Sequence, residues 1–270
     1  MKRKLIFLLV CIALTTNVAT AHDLFLKLNE YVVEVNSSIT VRLLSGSFTL
    51  SENTISRERM SDVSIVSPSG AVTRPTDSDW QDVKNTTMLA LSPTEEGTHI
   101  LGLSTKTREI TLKAKEFNDY LSHDGIPDTL ATRKRKGELK KGVTERYSKY
   151  VKAIFQVGTN KTDSYKRPLG YAVEIVPQQN PYDMKVGQTL EVLCLKDGKP
   201  LVNQFIMAGR EFNKRVIVSS NTRTDSKGIA KIRLQGKGKW YVKFIQMTRL
   251  DEPQLDYESK WATLTFEIKK

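Results

Sequence analysis

Cysteine is almost missing from this chain. Of two in 270 residues, Cys11 falls in an amino-terminal leader and leaves with it, so Cys194 stands alone. That excludes an intramolecular disulfide. Cys194, between Val192 and Leu195, reads as a small buried hydrophobe rather than a nucleophile. Histidine is as scarce, with only His22, His99 and His123. Long apolar runs are missing too. Leu5–Leu14 is too short to span a bilayer, and no later stretch approaches the ~20 apolar residues required, so no transmembrane segment is expected in the mature chain. The chain has no G-x-S-x-G elbow, HExxH, cysteine–histidine cluster, calcium-type acidic loop or phosphate-cradling glycine loop. These absences argue against an enzyme and against an organic cofactor.

What is present first is a leader. Met1–Lys4 is basic, Leu5–Leu14 is apolar, and Ala19-Thr20-Ala21 offers small residues before a cut. Residues 1–21 read as a signal peptide, which makes His22 the first residue of an exported, periplasmic protein. A lipoprotein signal at Cys11 is disfavoured by bulky Val10. The net charge of +12 is concentrated in stretches such as "TRKRKGELKKG" (132–142). Such a run is usually a solvated face, so nucleic acid is not expected as a partner. A membrane or envelope polymer is the likelier acidic neighbour.

Residues 22–113 alternate apolar and polar in short runs, as in Leu24, Leu26 and Leu28 or Ile39, Val41 and Leu43. The same grammar returns over 161–270, with seven candidate strands and turns at Asp197-Gly198 and "TDSKG" (224–228). Tyr31, Val35, Ile39 and Val41 share their spacing with Tyr182, Val186, Leu190 and Val192. "GTHILGL" (97–103) takes the place of "GKWYVKF" (238–244). The expectation is a mainly β chain of two related Ig-like or transthyretin-like β-sandwich domains. Between them, 114–160 reads as a helical bridge. Phe117, Tyr120 and Leu121 share one helical face, and Val143, Tyr147, Tyr150, Val151 and Ile154 another, with Lys and Arg in water.

"AHDLFLKL" (21–28), "ERYSKYVKAIFQVG" (145–158), "VEIVPQQNPYDMKVGQTLEVLCLKDGKPL" (173–201), "TDSKGIAKIRL" and "WATLTFE" together resemble one bacterial family. It is the domain-of-unknown-function 4198 family of exported proteins, often labelled as periplasmic components of nickel or cobalt uptake. The resemblance implies sandwich domains, no catalytic motif, and an exposed starting histidine that corresponds to His22.

A first-residue histidine can chelate a metal through its amine and Nδ1 together, nitrogen donors that suit Cu, Ni and Zn. His99 in the same domain is the expected third nitrogen, although its alternation with Leu101 and Leu103 also suits a core histidine. His123, in "SHDG", is the weaker candidate, with Asp124 beside it. "DSDW" (77–80) reads as a turn. The expected function is an exported protein binding a transition metal (nickel, cobalt or copper) or a metal complex in support of uptake, with an envelope transport component as possible partner. The alternatives are a non-catalytic docking protein built from Ig-like domains and, more weakly, a copper redox protein using an N-terminal histidine.

Overall fold

The computed structural model describes residues 22–269, and the expected signal peptide lies outside the described residues. The first half contributes strands Asp23–Leu28 (β1), Val32–Val33 (β2), Ile39–Gly46 (β3), Ser51–Asn53 (β4), Met60–Val66 (β5) and Val72–Thr73 (β6). Trp80–Val83 (β7), Thr86–Leu91 (β8), Gly97–Thr105 (β9) and Arg108–Leu112 (β10) follow. Two helices, Ala114–His123 (α1) and Pro127–Arg135 (α2), then precede the long strand Val143–Val157 (β11). The second half holds Val173–Pro177 (β12), Thr189–Lys196 (β13), Lys199–Pro200 (β14) and Phe205–Phe212 (β15). It ends with Arg215–Arg223 (β16), Ile229–Arg233 (β17), Gly238–Glu252 (β18) and Leu255–Ile268 (β19).

The strands form three layers. The middle is a ten-stranded sheet in the order β16-β15-β18-β19-β11-β9-β5-β6, with β2 and β10 also pairing β11. Odd-numbered side chains of β11 and β19 point to one face, where the Thr263 and Thr265 hydroxyls donate to the carbonyls of Leu24 and Leu26 in β1. That face carries the first outer sheet, β1-β3-β8-β7 with β4. Even-numbered side chains point to the other face, where Lys152 meets Glu174 of β12. There lies the second outer sheet, β12-β13-β14 with β17. Both faces of β11 are therefore covered, and the largest buried core runs continuously from Leu24 through Ile154 to Trp240 and Phe266.

The fold is thus mainly β and sandwich-like, with the two sandwiches sharing one wall. The spacing shared by the two stretches of sequence falls on strands with matching neighbours. β3 is flanked by β1, β8 and β4, and β13 by β12, β17 and β14. Tyr31 and Tyr182 are buried before these strands, while Val35 and Val186 are exposed between. β11 and β19 run parallel, Val151 opposite Thr263. Parallel neighbours whose outer sheets lie on opposite faces are what a twofold axis along the strands produces.

The expected helical bridge is corrected. Helix covers only Ala114–His123 and Pro127–Arg135, and Val143–Val157 is a strand. A strand covered on both faces loses the period of two, and its apolar residues then match helical spacing by accident. Nor do its cations all stay in water: Lys149 and Lys152 are buried, as is Arg133 of α2. The true helices behave as their sequence dictates. Pro127 opens α2, Asp128 lies in its first turn, and Arg133, Lys134 and Arg135 close it, matching the helix dipole. Phe117, Tyr120 and Leu121 of α1 pack with Ile245, Tyr257 and Trp261. The helices thereby extend the layer of the first outer sheet on the same face of the middle sheet. No helix among the described residues is long and apolar enough to cross a membrane.

Candidate functional site, a cationic cleft beside His22

A seam remains where the first outer sheet stops and α1 begins, and charged side chains fill it. β18 sends Lys243 into the seam, where its ammonium bonds Asp23 of β1 at 2.5 Å and Asp124, the residue after α1, at 3.0 Å. Burial lowers the affinity of Lys243 for its proton, but the two carboxylates outweigh this and hold its pKa above the ordinary lysine value. Burial also raises the Asp124 pKa, against the pull of Lys243. This bridge ties the helical layer to the start of β1.

Beneath it, β11 presents Glu145, Tyr147 and Lys149 toward the same seam. One oxygen of Glu145 accepts from the Ser259 hydroxyl and, at 3.2 Å, from the Tyr120 hydroxyl. Its other oxygen is buried with no partner among the described residues. Burial pushes the Glu145 pKa up to about 7. Lys149 lies 4.9 Å over the Trp261 ring and donates to the His22 carbonyl. Burial pulls its pKa down to about 8.

The seam opens to solvent as a cleft of about 330 Å³. His22, Arg59, Arg108, Tyr147 and Lys149 line it, with hydroxyl and amide groups from Ser45 and Asn53–Ser56. Arg59 ends a short turn, Arg57–Arg59, and its guanidinium lies 5.0 Å over the Tyr147 ring. It is 7% exposed, and one terminal nitrogen, Nη1, has no acceptor among the described residues. Burial, with the neighbouring Arg108, lowers its pKa from the ordinary arginine value. At the rim, His22 Nε2 stands 3.5 Å from a Glu52 carboxylate oxygen.

The three histidines are not brought together. Thr105 lines the His22 cleft at one end of β9, whereas His99 lies six residues along that strand, ~20 Å away at the rise of a β-strand. His99 is buried, stacks on Phe155 with centroids 5.1 Å apart, and donates through Nε2 to the Glu95 carbonyl. Burial lowers its pKa. His123 is exposed at the end of α1 and donates through Nδ1 to the Asp119 carbonyl of its own helix. No group of three or more His, Cys, Asp or Glu among the described residues could hold a metal. Asp124, beside His123 in the sequence, is committed to Lys243. Cys194 is buried in β13 with its thiol pKa pushed up by burial.

Sequence reasoning reached His22 but missed Glu52, Arg59, Arg108, Lys149 and Lys243. One signal was available. Glu145, Lys149 and Lys152 interrupt a run rich in β-branched and aromatic residues, and charges inside a central strand must be paired or must line a site.

Among solved structures, the D0-D1 domain of intimin is similar at a TM-score of 0.20 with 12% identity, covering 90% of this chain and 97% of that one. A Salmonella alpha-2-macroglobulin variant gives 0.28 with 9% identity, covering 90% of this chain and 15% of that one. Titin domains A168-A170 give 0.22 with 10% identity, covering 93% and 100%. No curated protein matches. A family model, described as a domain of unknown function (DUF4198), matches residues 19–248. That match spans most of the chain, ending within β18, and the protein belongs to this family.

Proposed function

We propose that this chain is an exported, periplasmic, non-catalytic binding protein whose ligand seat is the cleft beside His22, and that its ligand is a transition metal presented as a complex. The observation that carries the reading is the meeting at one cleft of the His22 imidazole and the buried cations Arg59 and Lys149, with the Glu52 carboxylate beside His22 at its rim. If export removes residues 1–21, the His22 amine joins its Nδ1 as a chelating pair, with Glu52 as a nearby oxygen donor. A bare divalent cation is disfavoured by Arg59, Arg108 and Lys149, whereas a metal carrying anionic ligands is not. Uptake is the role that such binding would serve.

The test is a calorimetric titration of nickel, cobalt and copper into protein whose first residue is verified by mass spectrometry. One added alanine before His22 moves the amine and should weaken binding about as much as His22→Ala. His99→Ala and His123→Ala should leave it unchanged. Binding should weaken as pH falls, because amine and imidazole ligate only when deprotonated. Equal affinity with and without the added alanine removes the amine from the ligand set.

One observation favours docking as a second reading. β16 is an edge strand of the middle sheet, and its hairpin with β15 exposes Phe212, Ile217 and Val218. An exposed apolar edge is a template for strand addition by another chain.

A further inference from the structure

We infer that the inner end of the His22 cleft is an anion seat, built to take the carboxylate or phosphate oxygens of a small ligand between Arg59, Lys149 and Arg108. The inference rests on the cleft being a ligand seat, as proposed above, and needs no metal. Three observations carry it. First, none of the residues lining the cleft is acidic, while Arg59, Arg108 and Lys149 all are basic. Asp23 and Asp124 bond Lys243, Glu52 faces His22, and Glu145 accepts from Ser259 and Tyr120.

Second, Arg59 is a buried guanidinium with a nitrogen that lacks an acceptor. Neither Arg59 nor Lys149 has a carboxylate as a hydrogen-bond partner. Lys149 is balanced in part by Asp23, Asp124 and Glu145, but a buried guanidinium without an acceptor is costly, and proteins retain the arrangement where a ligand completes it. Planar guanidinium matches the paired oxygens of a carboxylate or phosphate. The stacking on Tyr147 holds that plane in place.

Third, the size and walls suit a small organic anion. A volume of about 330 Å³ is at the lower end for ligand pockets. Leu24 and Ile55 give the cleft apolar wall on one part, and Ser45, Thr54 and Ser56 give it hydroxyls on another. The arrangement has no counterpart on the other face of β11. There the buried Lys152 is matched by Glu174 at 3.1 Å and needs no ligand.

The experiment titrates succinate, citrate and inorganic phosphate into the full chain by calorimetry, in buffer passed over a chelating resin, with chloride at matched ionic strength as the control. Saturable binding of one or more of the three is expected, weakening as salt is raised. Binding of the carboxylates alone assigns a carboxylate ligand, and binding of phosphate alone assigns a phosphoryl one. Arg59→Gln should weaken the anion roughly 10- to 100-fold, the span of a charged hydrogen bond. Arg108→Gln, at an exposed position that leaves the core untouched, should weaken it by roughly 2- to 5-fold. The proposal is overturned if no anion binds better than chloride, or if Arg108→Gln and a folded Arg59→Gln both bind like the unaltered chain. Metal binding is measured separately without these anions, so its failure leaves the anion seat standing, and the reverse also holds.

Discussion

The two halves of this molecule are built on one strand plan, and they differ where the chain passes from β9 to β11 and from β18 to β19. In the second half that passage is a tight turn at Pro253 and Gln254. In the first half it runs from Lys106 to Gly142 and contains β10, α1 and α2. The seam cleft lies beside this excursion. The halves also treat buried charge differently. On the second-sheet face, Glu174 accepts from Lys152, from the Leu169 amide at 2.9 Å and from the Tyr171 amide at 2.6 Å. Among the described residues, Asp23, Arg59, His99 and Glu145 on the first-sheet face each bury a polar atom without a partner, against Arg210 alone on the other face, at the far end of the middle sheet. A completed network is what structure requires. An incomplete one at the edge of a cleft marks where a ligand or water is expected to finish the job.

Five substitutions would break or sharpen this comparison. The largest effects should come from the buried lysines. Lys243→Met strands two carboxylates and Lys152→Met strands one, and each should cost about 3–5 kcal/mol in denaturant unfolding. Only Lys243→Met should also loosen binding at the cleft. If Lys152→Met disturbs the cleft equally, the two faces are not separable.

Next comes Glu145→Gln. Glu145 ordinarily titrates near 4.5 and is raised to about 7 in the folded chain. The folded state then holds a proton that the unfolded state has released, so stability is full below about 4.5 and falls as pH rises toward about 7. The loss amounts to at most ~3 kcal/mol. Glutamine should remove this part of the slope, while Asp124 acts in the same sense and His99, with its lowered pKa, in the opposite one. Lys149, lowered to about 8 from 10.5, acts in a higher window, where stability rises with pH. Thermal melts of both proteins between these limits decide the matter, and an unchanged slope would show that Glu145 is not held protonated.

His99→Phe should change stability by less than ~1.5 kcal/mol, as a near-isosteric swap that removes an unpartnered nitrogen and keeps the stack on Phe155. A large loss would show that the bond to Glu95 matters more than the packing. The smallest effect belongs to the exposed edge. Val218→Thr on β16 should alter stability by no more than ~0.5 kcal/mol, and any partner that docks there would be lost without a change in melting.

Much of the fold was legible because the outer sheets keep one face polar. The spacing of Tyr31 to Val41 and of Tyr182 to Val192 survives as two matching strands for that reason. β11 was not legible, because both of its faces are covered and Lys149 and Lys152 mimic a solvated helix face. Of the candidate site, the leader pattern singled out His22. Arg59 and Glu52 carried no such mark, since loop residues are brought to a cleft by tertiary structure alone. His99 shows the converse: the alternation with Leu101 and Leu103 already suited a core position, and it is buried against Phe155.

The parallel pairing of β11 with β19 has a kinetic consequence. The first outer sheet is closed by the last strand of the chain, through hydroxyl bonds that span 239 residues from Thr263 to Leu24 and from Thr265 to Leu26. Contacts of such separation must wait for loop closure and slow the search. The amino-terminal half cannot be completed while the carboxyl end is still being synthesised. Until β19 arrives, the apolar face of β1 stays uncovered and open to other chains.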